Sequence, residues 1–134
     1  MRSRELAEML LRKARQGEFA LEKLAPDPAP PDEVIGFHAQ QAVEKMLKAV
    51  LAHASVLYRR THDLVELFDL LRKKSLSYPA DLEEARRLTP FASTLRYEDL
   101  PLELVRPYDR SWALDMVRRV RAWAESAVRA ATGD

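Results

Sequence analysis

The chain has 134 residues, the length of one typical domain; 47% are hydrophobic and 32% charged, as in folded domains and unlike disordered segments. The 22 lysines and arginines nearly balance the 21 aspartates and glutamates, so the net charge of +1 gives no electrostatic reason to expect an obligate nucleic-acid or membrane binder. Cysteine is absent, which excludes disulfides, thiol nucleophiles and cysteine-ligated zinc or iron–sulfur centres.

The chain length, the short apolar runs and the charged first residues predict a single cytoplasmic domain spanning residues 1–134. No apolar run approaches the roughly 20 residues of a membrane span, and the start of the sequence is too charged for a signal peptide. Only three glycines are present, too few for the frequent turns of a β-rich fold. Apolar residues instead recur at three- and four-residue spacing, which indicates helices.

The first two predicted helices are long and are separated by a proline-rich loop. The first runs from Ser3 to Leu24, and four prolines then interrupt the helical pattern over 25–31. The second begins near Asp32 and continues to about Ala54, with one apolar stripe along its length. At 1.5 Å per residue it is roughly 35 Å long, enough to cross a small domain.

Two shorter helices are predicted next. The third covers Thr61–Lys74, with Thr61 as its N-cap and basic residues at the end that carries the negative pole of the helix dipole. The fourth starts at Asp81 and reaches about Arg96. Pro90 lies inside it and is expected to kink it or to split it after Leu88.

The last predicted helix starts after Pro107 and runs to about Ala130. Trp112 and Trp123 lie on one face of it, where packing in the core or in a dimer is a better interpretation than stacking on nucleobases. The complete pattern predicts an all-α fold, a four- to five-helix up-and-down antiparallel bundle.

The polar residues of the second helix follow a pattern of their own. His38, Gln41, Lys45 and Lys48 step by three, four and three residues and therefore share one face beside the apolar stripe. The two lysines can bind phosphate as point charges, or they can be an exposed helix edge. His38 can contact a nucleotide or act as a general base, or it can be an ordinary half-buried histidine. Glu44 and Lys48 are also spaced for an ion pair.

Two further polar clusters come later in the chain. His62 and Asp63 occupy the first turn of the third helix, where the dipole favours anions, although Asp63 can simply complement that dipole. Arg96 and Tyr97 precede two acidic residues. This cluster is either functional or a salt bridge at a helix end, with Glu44 or Asp63 as the partner carboxylate.

Three segments together resemble the HEPN domain family, in particular its small stand-alone bacterial and archaeal members. They are FHAQQAVEKMLKA at 37–49, RTHDL at 60–64 and LRYEDL at 95–100. The resemblance implies a helical bundle that forms a homodimer and is encoded beside a minimal nucleotidyltransferase, often as a toxin–antitoxin pair. It also implies a nucleotide or RNA ligand. From the sequence itself we expect no membrane partner, no cofactor and no bound metal.

Many members of this family are metal-independent ribonucleases that carry an arginine followed, after four to six residues, by a histidine. The histidines here are His38, His53 and His62, and none has an arginine at that spacing. The sequence therefore favours a dimeric module that binds a nucleotide or substrate. The alternatives are an RNA-cleaving toxin with a non-standard active site and a purely structural bundle. The candidate binding residues are His38, Gln41, Lys45, Lys48, His62, Arg96 and Tyr97, and no catalytic residue is assigned.

Overall fold

A helical bundle forms the described part of the chain, which in this computed structural model comprises residues 3–92 and 109–132. Its elements are four α-helices and one 3₁₀ helix: α1 (Ser3–Leu24), α2 (Asp32–His53), α3 (Leu64–Lys73), the 3₁₀ helix (Ala80–Phe91) and α4 (Arg110–Thr132). These ranges contain no strand, and the all-α bundle predicted from the periodicity is confirmed. None of the described helices is long and apolar enough to cross a membrane.

Helix α2 is the central element of the bundle. It packs against α1, α4, the 3₁₀ helix and α3. A helix covered on several sides must be apolar over most of its circumference, and 13 of the 22 residues of α2 are buried. Its inward side chains meet those of the other helices in one hydrophobic core, whose large members include Ile35, Met46, Leu47, Leu51, Leu67, Phe68, Leu88 and Met116.

The fourth element is a 3₁₀ helix, so the α-helix predicted to begin at Asp81 is wrong in type as far as Phe91. The end of that prediction, 93–96, lies outside the described residues. The buried residues of the 3₁₀ helix recur at strict three-residue spacing, which fits three residues per turn better than 3.6; they are Leu82, Ala85, Leu88 and Phe91. Pro90 supplies a second reason. In an α-helix its ring would press on the carbonyl of residue 86, and the backbone bond from position 90 would be lost.

The start of α3 also differs from the prediction, because Thr61 is not the N-cap. Asp63 caps the helix: its Oδ1 accepts a hydrogen bond from the backbone N–H of Val65 at 3.0 Å. Thr61 lies before the helix, buried, and its hydroxyl accepts the N–H of Asp63 at 3.0 Å. The threonine therefore shapes the turn that leads into the helix, while the aspartate satisfies the first helical donors.

Arg110, the first residue of α4, holds the loop between α1 and α2 in place. Its guanidinium donates hydrogen bonds to three backbone carbonyls of that loop and to one carboxylate at the start of α2; the acceptors are Ala25, Asp27, Pro30 and Asp32. The Arg110 side chain is 22% exposed, so these bonds are partly shielded from water. One side chain thus ties the first, second and last helices together.

Candidate functional site

A polar network is centred on the carboxylate of Glu44 in α2. Its Oε1 accepts a hydrogen bond from Gln40 Nε2 at 3.1 Å and lies 2.8 Å from Nδ1 of His62. Its Oε2 accepts a hydrogen bond from Lys48 Nζ at 2.9 Å, which confirms the ion pair expected from the spacing. The Glu44 side chain is only 6% exposed, so the network forms at the edge of the core.

The Glu44 carboxylate stays ionised despite its burial. Burial by itself would raise its pKa, but the hydrogen bonds from Lys48, His62 and Gln40 together hold the pKa of Glu44 below its ordinary value. A carboxylate can only accept, so Nδ1 of His62 must carry the hydrogen that lies between them. When the imidazole is neutral, its lone pair therefore lies on Nε2, and the His62 side chain is 61% exposed.

A relay of two glutamine amides connects Glu44 to Lys45. Gln40 Nε2 donates to Glu44 and also, at 2.9 Å, to the backbone carbonyl of His62. Its Oε1 must then lie on the other side, where it accepts from Gln41 Nε2 at 2.7 Å. That bond orients Gln41 so that its own Oε1 accepts from Lys45 Nζ at 3.2 Å. The buried amide of Gln40 thereby fixes the orientation of its half-buried neighbours Gln41 and Lys45.

The Lys45 ammonium lies among groups of both charges. Its pKa is lowered chiefly by burial; attraction to Glu44 acts in the opposite direction, and repulsion from Lys48 and Lys13 lowers the pKa further. Among the described residues no carboxylate comes within ion-pair distance of Lys45 Nζ. The carboxylate of Glu44 is instead engaged by Lys48, His62 and Gln40. This half-buried cation is therefore hydrogen-bonded to an amide but not neutralised.

Lys48 is held on two sides. Besides its bond to Glu44, its ammonium lies 5.6 Å from the centre of the Tyr58 ring, a cation–π contact. Tyr58 and the highly exposed Leu57 line an adjacent cleft of about 470 Å³ at the end of α2. The charged network and this largely apolar cleft thus share a boundary at Tyr58.

The structure brings four of the predicted site residues into one network: Gln41, Lys45, Lys48 and His62. His38 lies on the same face of α2, half-buried, and its ring packs edge-on against Phe37 with the centroids 5.7 Å apart. Within the described ranges it makes no hydrogen bond to the network. Arg96 and Tyr97 lie outside the described residues, so the salt bridge predicted between Arg96 and Glu44 or Asp63 stays a prediction.

Sequence reasoning missed the organising role of Gln40 and Glu44. Both sit next to the apolar stripe of α2, where Gly36, Val43 and Leu47 are buried, and both are themselves buried. A glutamine and a glutamate one turn apart on the buried side of a helix indicate a buried polar pair, because such groups must find hydrogen-bond partners. This spacing of Gln40 and Glu44 is visible in the sequence. Their partner His62, 18 residues after Glu44, could be identified only from the fold.

A second groove of about 480 Å³ lies between α1 and α4. It is lined by Arg12, Arg15 and Arg129 together with Glu8 and Glu125. Arg15 forms an ion pair with Glu125 at 3.1 Å, so charges of both signs meet there. In the part of the chain that the structure describes, no group of three or more histidines and carboxylates is arranged to hold a metal ion.

Comparison with protein families gives one result that bears on this site. The family model described as the HEPN domain matches residues 7–127, which include all of α2, α3 and the 3₁₀ helix. Comparison with curated proteins and with solved structures gives no significant match. The matched range contains every residue of the Glu44 network: Gln40, Gln41, Glu44, Lys45, Lys48 and His62.

Proposed function

Because the chain belongs to the HEPN domain family, we propose that it is a binding and interaction module that holds a phosphate-bearing ligand, a nucleotide or RNA. The binding surface is the α2 polar face, which comprises His38, Gln41, Lys45 and Lys48, with His62 beside it. The observation that carries this proposal is the half-buried Lys45 ammonium, which has an amide partner but no carboxylate partner among the described residues.

Local charge explains why an anion is the expected ligand. The ammonium groups of Lys13 and Lys48 repel that of Lys45, and Glu44, which is ion-paired with Lys48, acts in the opposite direction. A bound phosphate would relieve this repulsion and would accept hydrogen bonds from the lysines, and charge-assisted bonds of this kind are about twice as strong as neutral ones. The surplus of positive charge therefore selects for an anionic ligand.

Three arginines of α4 differ from Lys45 because each is ion-paired with a carboxylate. Arg118 and Arg121 of α4 form ion pairs with Glu22 and Glu18 of α1, and Arg119 of α4 pairs with Asp81. These charges are already neutralised by the fold. The α2 polar face is therefore a better place for a phosphate than the arginine-rich face of α4.

Isothermal titration calorimetry with ATP and with a short RNA tests the proposal. We expect Lys45→Gln to weaken binding by roughly tenfold or more, since a hydrogen bond to a charged group contributes about 1.5–3 kcal/mol. Lys73→Gln is the matched control, because Lys73 is exposed at the end of α3 and loses the same charge. Equal affinities for wild type and Lys45→Gln would contradict the proposal.

We further propose, on the family resemblance, that the module is a homodimer and pairs with a minimal nucleotidyltransferase in a toxin–antitoxin-like arrangement in the cytoplasm. Mass spectrometry of what co-purifies with the native protein tests the partner. Light scattering of the purified chain tests the dimer. A monomer that brings down no nucleotidyltransferase would contradict both.

A second candidate function, RNA cleavage without a metal, is favoured by one observation. Glu44 holds His62 through Nδ1, so that in the neutral imidazole Nε2 is a proton acceptor on an exposed side chain. A general base in this state can take the proton of a ribose 2′-hydroxyl, while nearby lysines stabilise the charge that develops on phosphate.

Incubation with total RNA in the presence of a metal chelator separates the two functions. Cleavage by wild type that is lost in His62→Gln but kept in His53→Gln would support the catalytic candidate. His53, at the end of α2, takes no part in the described Glu44 network. If the wild-type protein leaves the RNA intact, the catalytic candidate is contradicted and the binding module is the remaining proposal.

A further inference from the structure

The seam between α1 and α2 has a register that two contacts define. At one end the hydroxyls of Ser3 and Ser55 lie 3.0 Å apart. Farther along, a Cβ at Gly17 would lie 3.8 Å from the Cβ of Ala42. Residue numbers therefore rise along α1 as they fall along α2, and the two helices are antiparallel neighbours over this stretch.

This register puts a cationic level and an apolar level next to each other on the seam. Lys13 lies at the level of Lys45, and Leu6 lies at the level of Ala52. Lys45, Lys48 and Ala52 follow at steps of three and four residues, so they share one face of α2. At 1.5 Å per residue, about 10 Å separates the two levels along the helix axis.

The apolar level is the cleft of about 470 Å³ at the end of α2, a volume within the range of small-molecule pockets. Its walls include Leu6, Val56, Leu57 and Tyr58, and none of the described residues that line it is charged. Leu57 is 94% exposed, so this wall is open to solvent in the free chain. A phosphate would find no cation inside the cleft, whereas an uncharged ring system would find apolar walls.

Polar groups at the cleft suit a ring system with polar edges. Ser3 and Ser55 both line it, and their hydroxyls are hydrogen-bonded to each other. Each hydroxyl has one hydrogen and two acceptor positions, so the pair still has one hydrogen and free acceptor positions to offer. Apolar walls with a few polar groups are typical of sites that bind flat heterocycles.

Tyr58 joins the two levels. It lines the cleft, and the Lys48 ammonium lies 5.6 Å from the centre of its ring. Lys48 is already paired with Glu44 at 2.9 Å, so Lys45 is the cation of this face that remains for phosphate. A ligand that reaches from Lys45 past Lys48 into the cleft must carry its anion and its uncharged ring system several bonds apart.

From this arrangement we infer that the seam is a two-part site for a nucleoside di- or triphosphate, with the phosphates at Lys45 and the nucleobase in the cleft beside Tyr58. The phosphate end rests on the proposed function, and the base end is new. A bare polyphosphate would occupy only the cationic level. A complete nucleotide occupies both levels and covers the exposed wall at Leu57.

Calorimetric titration of the full chain with ATP and with inorganic tripolyphosphate tests the base end. We expect ATP to bind roughly tenfold more tightly, because its base covers apolar surface that tripolyphosphate leaves in water. Leu57→Ser should reduce this advantage to about twofold and leave the affinity for tripolyphosphate unchanged. Since Leu57 is 94% exposed, the fold does not depend on it. Phe19→Ser is the matched control, because Phe19 is 62% exposed near the far end of α1 and should change neither affinity.

The outcomes separate this inference from the proposed function. Equal affinities of the wild type for ATP and tripolyphosphate overturn the base end and leave the phosphate site standing. An ATP advantage that Leu57→Ser does not reduce also overturns it, because the base then binds elsewhere. If neither ligand binds, the proposed function is contradicted and the inference falls with it.

Light scattering of the ligand-free chain supplies the last arm. If Leu57→Ser changes the oligomeric state but not the advantage of ATP over tripolyphosphate, a second copy of the chain occupies the cleft and the inference is wrong. An unchanged oligomeric state together with the reduced ATP advantage supports the two-part site.

Discussion

At the scale of single residues, Glu44 determines what its neighbours can do. It neutralises Lys48, fixes the tautomer of His62 and anchors Gln40, which in turn orients Gln41 and Lys45. A buried charge that lost these donors would be left unpaired at high cost. The carboxylate therefore organises the site without needing to contact a ligand.

Glu44→Gln tests this role through stability. At neutral pH we expect a loss of about 3 kcal/mol in the free energy of unfolding, because Lys48 keeps its charge but loses its partner. Glu8→Gln is the matched control, since Glu8 also pairs with a basic residue one turn away but is half exposed. Its loss should stay below about 1 kcal/mol.

The pH dependence of the Glu44→Gln difference follows from the direction of the pKa shift. Since the pKa of Glu44 is lowered in the folded state, its stabilisation is present above the ordinary value of 4.5 and is lost as the pH falls toward the folded-state pKa. The difference between wild type and Glu44→Gln, measured by urea denaturation, should shrink on acidification below that value. A difference that grows on acidification would contradict the assignment.

At the scale of elements, close packing of the 3₁₀ helix on α2 closes one side of the core. A Cβ atom at Gly36 would lie 2.6 Å from Cγ of Phe91, well inside contact distance. At Gly17 of α1, by contrast, a Cβ would meet only the Cβ of Ala42 at 3.8 Å, an ordinary contact. Two helical glycines thus have opposite roles, one required by a neighbour and one replaceable.

The two glycine-to-alanine variants should shift stability in opposite directions. Gly17→Ala is expected to stabilise the protein by about 1 kcal/mol through helix propensity. Gly36→Ala gains the same propensity but overpacks the core, which typically costs 1–3 kcal/mol, so it is expected to destabilise by up to about 2 kcal/mol. Chemical denaturation of both variants is the measurement, and shifts of the same sign would contradict the described packing.

The sequence patterns located the helices better than they identified their type or their caps. The predicted bounds of α1 match the structure, and those of α2 differ by one residue. The 3₁₀ helix was missed because buried positions 82, 85 and 88 fit either helix type, and only Phe91 breaks the α-helical period. Thr61 and Asp63 are both good capping residues, and the burial that separates their roles is a tertiary effect.

At the scale of the whole molecule, long-range polar contacts stabilise the fold in addition to the apolar core. Arg110 joins the start of α4 to the loop 25–30 and to Asp32, and no periodicity in the sequence pointed to it. The balanced net charge likewise gives no indication of where charges cluster in the fold. It conceals a local surplus of cations at Lys13, Lys45 and Lys48, which the sequence average could not reveal.

Arg110→Lys should therefore destabilise the whole fold although the charge is kept. A lysine cannot reproduce the planar fork of donors, and losing several partly buried hydrogen bonds is expected to cost about 2 kcal/mol. Calorimetry should show a lower melting temperature in a single transition, as expected for the predicted single domain. An unchanged melting temperature would show that the loop is held by other contacts.

The central claim is that the α2 polar face binds phosphate-bearing ligands, and an NMR titration tests it most directly. Adding ATP to the isotope-labelled protein should give its largest backbone shift changes at Gln41, Lys45, Lys48 and His62, and these changes should disappear in Lys45→Gln. Shift changes centred on the groove of Arg12, Arg15 and Arg129, or the absence of any change, would contradict the claim.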